Sequence, residues 1–212
     1  MSPGFIVGVG RSGTTLIASL LNRHSQLTVT PETHFFRIIS QWPGGEAGFA
    51  ADWPNSLSVL LEKVHTNKAW KPSAGQITGQ FGAGYPGLKA LFVALCETVP
   101  STMQARRWIE KTTAHIVDIL WIRKLFPDSP ILHVVRDGRD VSESMTKVAW
   151  GSRSYYENLV RWRDEVRYAA SALDQDAHGM TIKYEELLKN PVVYLKKICS
   201  FFDVPFEESI LE

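Results

Sequence analysis

The feature that most constrains the fold is the stretch FIVGVGRSGTTLIASLLNRH, from Phe5 to His24. Phe5–Val9 is a short, mainly apolar run, which is typical of a buried parallel strand. A glycine-rich turn follows, and apolar residues then recur at helical spacing over Thr14–Arg23. Because a strand, a glycine-rich turn and a helix in this order open an α/β unit, the stretch predicts the start of a parallel sheet.

The rest of the chain repeats this alternation of strand and helix. Short apolar segments predict further strands at Leu27–Thr30, Arg107–Lys111, Ile131–Val135 and Met180–Tyr184. Helical periodicity predicts helices over Leu57–Val64, Leu88–Val99, His115–Phe126, Val141–Val148, Tyr155–Leu173 and Pro191–Phe202. Strands separated by helices imply a parallel sheet covered on both faces. We therefore expect one P-loop-like α/β domain over residues 1–212, a three-layer α/β/α fold with a mainly parallel central sheet.

Two stretches, 41–56 and 66–87, are rich in Gly, Pro, Trp and Asn and are predicted to be long loops inserted into the domain. Loops of this length in a compact domain are often lids or binding surfaces, with disorder as the alternative. These stretches contain Trp42, Trp53 and Trp70. The three tryptophans would either form an apolar wall of a pocket or pack the loops against the rest of the protein.

The composition and the cysteines exclude several classes of function. A formal net charge of +1 gives no support for nucleic-acid binding, which normally requires a basic domain. No apolar run approaches the length of a membrane span, and the first residues do not form a signal peptide. Cys96 and Cys199 each lie in an apolar, helix-like segment and are interpreted as buried thiols of a reducing compartment. We expect a cytoplasmic protein without a membrane span, of bacterial source.

The glycine-rich turn has the spacing of a phosphate-binding loop, G-x-x-x-x-G-K-[ST], at Gly8 and Gly13. Thr14 stands at the lysine position, so the charge that neutralises a transferred phosphoryl group is missing. Arg11 provides a fixed positive charge at the tip of the loop instead. The loop amides and the helix N-terminus still favour an anion. The dense set of donors therefore predicts an anion site rather than a glycine-rich turn without a ligand.

The segment GVGRSGTTL resembles the 5′-phosphosulfate loop of sulfotransferases that use 3′-phosphoadenosine 5′-phosphosulfate (PAPS), in the arginine-bearing branch of tyrosylprotein and carbohydrate sulfotransferases. ILHVVRDGRDVSESM is similar to the 3′-phosphate element of the family, and IKYEELLKNP to its strand-to-helix junction at the adenosine pocket. The resemblance implies that the following residues bind the nucleotide: Gly10, Arg11, Ser12, Gly13, Thr14, Thr15, Arg136, Ser144 and Tyr184. Taken alone, RDGRD would equally be a surface charge cluster, and Asp137 and Asp140 are interpreted as partners or helix caps.

The resemblance also implies which groups act on the acceptor. TPETHFF is similar to the region of tyrosylprotein sulfotransferases that carries a glutamate base, and Glu32 takes that place. The alternative role for Glu32 is that of an ordinary carboxylate that stabilises the next helix. His34 is a neighbour that could substitute. In WIEKTTAH, Lys111 is assigned to the departing phosphate, and Arg11 to the charge of the phosphosulfate. Cytosolic members carry a catalytic histidine two residues after such a lysine, but Thr113 stands there, so His115 is kept as a reserve base and His133 as a core residue.

Together these motifs predict a PAPS-dependent sulfotransferase that moves the sulfuryl group to an acceptor hydroxyl by in-line transfer with a general base. The product would be adenosine 3′,5′-bisphosphate (PAP), and no metal is implied. The acceptor stays open among carbohydrate, lipid, small molecule and peptide tyrosine, and so does the oligomeric state. A nucleotide-binding relative without turnover and a P-loop kinase-like phosphotransferase are the alternatives. The tail FFDVPFEESILE lacks the basic, glycine-containing closure of many cytosolic relatives, so either another closure is used or a C-terminal portion is missing.

Overall fold

A computed structural model describes residues 3–64, 70–82, 84–100 and 107–211 of the chain. Its centre is a five-stranded sheet in the order β2-β3-β1-β4-β5, in which every pair is parallel. The strands are β1 (Gly4–Gly8), β2 (Leu27–Val29), β3 (Arg107–Glu110), β4 (Ile131–Val135) and β5 (Gly179–Lys183). Each predicted strand is present within a residue or two, so the predicted parallel sheet is confirmed.

Helices cover both faces of the sheet. They are α1 (Thr14–Leu21), α2 (Phe35–Ser40), α3 (Gly45–Ala51), α4 (Asn55–Lys63), α5 (Ala74–Phe81), α6 (Leu88–Glu97), α7 (Ile119–Leu125), α8 (Gly138–Thr146), α9 (Tyr155–Ala172), α10 (Tyr184–Lys189) and α11 (Pro191–Phe201). Two 3₁₀ helices, Thr113–Asp118 and Glu208–Leu211, complete the described elements. The helix predicted over His115–Phe126 is therefore a 3₁₀ turn continued by α7.

The core has two parts because successive strand residues point to opposite faces. Phe5 and Val7 belong to a buried cluster with residues of α2 to α9, and Ile6 belongs to a second cluster with residues of α1, α10 and α11. The three-layer α/β/α prediction is confirmed by this arrangement. Cys96 and Cys199 are free, buried thiols, one in each cluster.

The prediction of long loops at 41–56 and 66–87 is wrong where the structure describes those residues. They contain α3, the start of α4, and α5. Each short helix is anchored by a fully buried apolar side chain, such as Phe49 and Ile77. Some of the glycines and prolines lie at helix ends: Gly44 precedes α3 with a left-handed φ of 74°, and Pro54 precedes α4. Residues 66–69 and 83 lie outside the described residues.

The tryptophans of these stretches pack them against the core. Trp70 is buried, and its indole Nε1 donates a hydrogen bond to Thr98 Oγ1 at 2.9 Å. Trp42 and Trp53 are partly buried against the same cluster. Among the described residues, no helix combines the length and the apolar character needed to cross a membrane.

Candidate active site

The loop between β1 and α1 is held in a conformation that only glycine allows at Gly13. This residue precedes α1 with φ 90°, and a Cβ there would lie 2.3 Å from the ring of Tyr184. Arg11 also has a left-handed φ, of 74°. The first amides of α1 have no partner inside the helix and carry the positive end of its dipole. The loop is therefore shaped to bind an anion at its mouth.

The second sequence motif lies beside this loop because β4 pairs with β1. Arg136 follows the end of β4, and Ser144 lies on α8. Arg11 Nε donates to Ser144 Oγ at 2.9 Å, and Arg136 Nη1 donates to the carbonyl of Arg11 at 3.3 Å. The guanidinium of Arg136 lies 5.2 Å above the ring centre of Tyr184. These four residues come from three sequence motifs that were each assigned to the nucleotide. The structure brings them together into one contiguous group.

The aspartates of the RDGRD segment have the structural roles that the sequence indicated. Asp137 caps α8 by accepting a hydrogen bond from the amide of Arg139. Its side-chain bonds from Arg139, together with that backbone bond, lower the pKa of Asp137 to about 2. Asp140 accepts from Arg136 Nη2 at 3.1 Å.

Glu32 and Lys111 are in direct contact at the carboxyl ends of β2 and β3. Lys111 Nζ donates to Glu32 Oε1 at 2.6 Å, with 11% and 27% of the two side chains exposed. His34 Nε2 lies 3.4 Å from Glu32 Oε2. The proposed base, the proposed cation and the neighbouring histidine therefore form one cluster at the same edge of the sheet as the loop.

Two other candidates lie inside the protein. The side chain of Ser12 is fully buried, and its hydroxyl has no hydrogen-bond partner within the described part of the chain. His115 is also fully buried, with its Nδ1 donating to Glu110 Oε2 at 2.9 Å. Of the two bases that the sequence analysis considered, Glu32 is partly exposed and His115 is fully buried.

A cavity of about 980 Å³ joins the loop to the Glu32 cluster. Its lining includes most of the sequence-predicted residues: Gly10, Arg11, Gly13, Thr14, Thr15, Glu32, His34 and Arg136. Sequence reasoning missed several other lining residues, among them Arg37, Lys63, Trp150 and Arg161. Trp150 lies against the loop, where a Cβ on Gly10 would be 2.6 Å from its ring. No sequence motif marks these residues, because each is an isolated position on a different segment.

The donor set of the cavity matches a ligand with more than one phosphate-like group. The guanidinium groups of Arg11 and Arg136 are fixed charges with several N–H donors, and the loop amides add neutral donors. Ser144 does not line the cavity but contacts Arg11, which does. In the described residues, no group of three or more His, Cys, Asp or Glu side chains could hold a metal ion. Fold and site together define a P-loop-like α/β protein with a mainly cationic cavity at the carboxyl edge of its sheet.

A model of the sulfotransferase family matches residues 3–208, and the chain belongs to this family. Protein-tyrosine sulfotransferase A of Caenorhabditis elegans is 23% identical over 218 residues, covering 98% of this chain and 51% of the relative. The protein-tyrosine sulfotransferase of Drosophila melanogaster is 26% identical over 221 residues, covering 98% of this chain and 39% of the relative. The chain thus spans about half the length of these relatives or less.

Solved sulfotransferase structures share the fold. The sulfotransferase domain of the Synechococcus olefin synthase aligns with a TM-score of 0.68 and 21% identity, over 99% of this chain and 75% of that domain. A mouse sulfotransferase complexed with PAP aligns with a TM-score of 0.54 and 15% identity, over 99% of this chain and 61% of that protein. At these identities the likeness establishes the fold.

Proposed function

We propose that the protein transfers the sulfuryl group of PAPS to an acceptor hydroxyl and releases PAP. The observation that carries this proposal is the meeting of Arg11, Ser144, Arg136 and Tyr184 beside the loop of α1. The mouse relative complexed with PAP supports the choice of nucleotide.

The two ends of the donor molecule would take different ligands from this group of residues. The loop amides and Arg11 would hold the 5′-phosphosulfate, where the helix N-terminus favours negative charge. Arg136 and Ser144 would hold the 3′-phosphate, and Tyr184 would border the adenosine. The Thr14 side chain replaces the lysine that a phosphotransferase needs, which disfavours ATP as the donor.

The chemistry needs a proton acceptor and a countercharge for the leaving group. Glu32 would accept the proton of the acceptor hydroxyl while the hydroxyl oxygen forms a bond to sulfur and the bond from sulfur to the phosphate oxygen breaks. Such general-base help is worth roughly 10²–10⁴-fold. Lys111 and Arg11 would neutralise the charge that develops on the departing phosphate. The contact of Lys111 with Glu32 supports this assignment, since it places the cation and the base in one cluster.

The acceptor is a hydroxyl compound, and peptide tyrosine is the class that the names of the relatives favour. Trp150 and Ile38 provide apolar surface in the cavity, and Arg37 and Lys63 provide charge. Carbohydrate, lipid and small-molecule hydroxyls are the other acceptors to be tested.

The first test is a calorimetric titration of the protein with PAP, with magnesium–ATP as the competing ligand. Arg136→Ala should abolish or strongly weaken PAP binding. Arg139→Ala is the matched control, because Arg139 is 80% exposed and pairs with Asp137 outside the cavity. Preferential binding of magnesium–ATP would replace the proposal with a phosphotransferase.

The second test measures transfer of ³⁵S from labelled PAPS to a tyrosine peptide, 4-nitrophenol, a monosaccharide and a sterol. Glu32→Gln should lower turnover roughly 10²–10⁴-fold and leave PAP binding within a few fold. PAP binding without transfer to any member of this panel would indicate a nucleotide-binding protein without turnover.

A further inference from the structure

Glu110 is a fully buried carboxylate at the end of β3, and its surroundings consist of hydrogen-bond donors. Its Oε1 accepts from Thr33 Oγ1 at 2.8 Å, from the Thr33 amide at 3.3 Å and from the hydroxyl of Thr112. Its Oε2 accepts from the Thr112 amide at 3.2 Å and from His115 Nδ1 at 2.9 Å. Burial opposes ionisation, but His115 and the threonine hydroxyls outweigh it and hold the pKa of Glu110 below its ordinary value. A charged carboxylate and its hydrogen-bond donors, here called the Glu110 network, are thus buried directly behind the candidate active site.

The Glu110 network connects the ends of two neighbouring strands. Thr33 comes directly after Glu32, beyond β2, and Thr112 comes directly after Lys111, beyond β3. The hydroxyl of Thr112 also accepts from the amide of Thr33 at 2.9 Å and from the amide of His34 at 3.3 Å. The backbone next to Glu32 is therefore tied to the backbone next to Lys111.

The backbone conformation of His34 indicates that hydrogen bonds hold this segment in place. His34 has φ 50°, in the left-handed region that residues other than glycine rarely adopt. Such a conformation persists where the surrounding contacts fix it. Thr112 Oγ1 accepts from the His34 amide, and Thr33 Oγ1 accepts from the amide of Phe35 at 3.2 Å. Hydrogen bonds therefore fix the backbone at the strained residue and at the residue after it.

We propose that Glu110, Thr112 and Thr33 form a positioning network that holds Glu32 and Lys111 in contact and so places the base and the cation for transfer. Glu110 does not touch the cavity, and its effect passes through the backbone of the two segments. The placement of the pair follows from the contacts above, and only the consequence for turnover rests on the proposed function.

The placement is tested by double-mutant cycles on the unfolding equilibrium, without any assay of activity. Glu32→Gln, Lys111→Met and the double variant are measured in three backgrounds: wild type, Thr112→Val and Thr112→Ser. We expect coupling of roughly fivefold or more in the unfolding constant in wild type and Thr112→Ser, and under twofold in Thr112→Val. Coupling that survives Thr112→Val would overturn the proposal. If Thr112→Val does not fold, Thr33→Val against Thr33→Ser decides by the same criterion.

The consequence for turnover is tested with labelled PAPS and any acceptor of the panel above that reacts. Thr112→Val should lower kcat roughly 10²-fold while the Kd for PAP changes less than twofold, because a displaced base affects transfer and not nucleotide binding. Thr112→Ser should restore kcat. In a Glu32→Gln background Thr112→Val should cost nothing further, whereas a general loss of structure would add to the first defect.

The two measurements separate the two proposals. Loss of coupling with an unchanged kcat would support the positioning role and contradict Glu32 as the base. If coupling is lost in Thr112→Val and the wild-type protein transfers sulfate to no acceptor, the positioning role is supported and the proposed function is contradicted.

Discussion

His133 is a residue whose buried position has a consequence for stability. It lies in β4 with its side chain fully buried, and Nδ1 lies 3.3 Å from Thr181 Oγ1. Within the described part of the chain, Nε2 has no hydrogen-bond partner. Because burial disfavours the charged imidazole, it lowers the pKa of His133 from 6.5 to about 4.

This pKa predicts that the protein loses stability as the pH falls from 6.5 to 4. In that window the unfolded chain binds a proton at His133 and the folded chain does not, so acidification favours unfolding. The loss should reach about 3 kcal/mol at pH 4, at about 1.4 kcal/mol for each unit of pKa difference. Urea unfolding at several pH values measures it.

The comparison that isolates this effect is between His133→Leu and His178→Gln. His133→Leu should remove most of the slope between pH 4 and 6.5. His178 is 48% exposed, so its replacement should leave the slope as in wild type. An unchanged slope in His133→Leu would assign the acid sensitivity to other groups.

Single residues of the candidate site differ in how far the sequence could predict them. Arg11, Arg136 and Ser144 stand in recognisable motifs, and their mutual contacts agree with the shared ligand that the motifs implied. Glu110 gave no signal beyond an acidic residue inside a predicted strand. Its partners Thr112 and His115 follow it in the same segment, but Thr33 comes from a distant one, and only the folded chain brings Thr33 to Glu110.

At the scale of elements, the sheet was predictable and the short helices α3 and α5 were not. Buried parallel strands are nearly continuous apolar runs, such as Ile131–Val135 with its one histidine, and are easily distinguished from their surroundings. The short helices α3 and α5 contain glycines and contribute a single fully buried side chain each, Phe49 and Ile77. Such helices depend on tertiary packing more than on intrinsic propensity, so their sequences resemble loops.

The contact between α8 and α9 determines where Arg136 leaves the sheet. Trp162 on α9 packs on Gly138, where a Cβ would lie 2.5 Å from the indole ring. Its Nε1 donates to the carbonyl of Arg136 at 3.1 Å. The indole therefore fixes both the approach of α8 and the backbone that carries the proposed ligand of the 3′-phosphate.

We predict that Trp162→Phe weakens PAP binding several-fold and lowers the free energy of unfolding by about 1–3 kcal/mol, since the hydrogen bond and part of the indole packing are lost while an aromatic ring remains. Calorimetry with PAP and urea unfolding measure the two effects. Trp121→Phe is the control, because Trp121 packs on Phe36 from α7, with ring centres 5.4 Å apart. It should change stability without changing the Kd for PAP. Equal effects of the two variants on PAP binding would refute a specific role of the Arg136 carbonyl bond.

At the scale of the whole molecule, a nearly neutral chain concentrates positive charge in its cavity. The formal net charge is +1 over 212 residues. The charged lining residues are five cations against two carboxylates: Arg11, Arg37, Lys63, Arg136 and Arg161, with Glu32 and Glu165. A concave surface of one predominant sign attracts ligands of the opposite sign, so the cavity should attract multiply charged anions.

The binding of PAP should therefore weaken steeply as ionic strength rises, although the chain as a whole is nearly neutral. Lys63 is the most direct probe, because it lines the cavity from the end of α4, over the ring of Trp42, and has no part in the phosphate contacts proposed above. Lys63→Gln should raise the Kd for PAP about two- to fivefold at low salt, as expected of a partly screened charge. The difference from wild type should vanish at about 0.5 M salt, where screening is strong. Lys147→Gln, which removes an exposed lysine paired with Glu143, should leave both the Kd and its salt dependence unchanged. If the two variants shift the Kd equally, the attraction comes from the overall charge and not from the cavity.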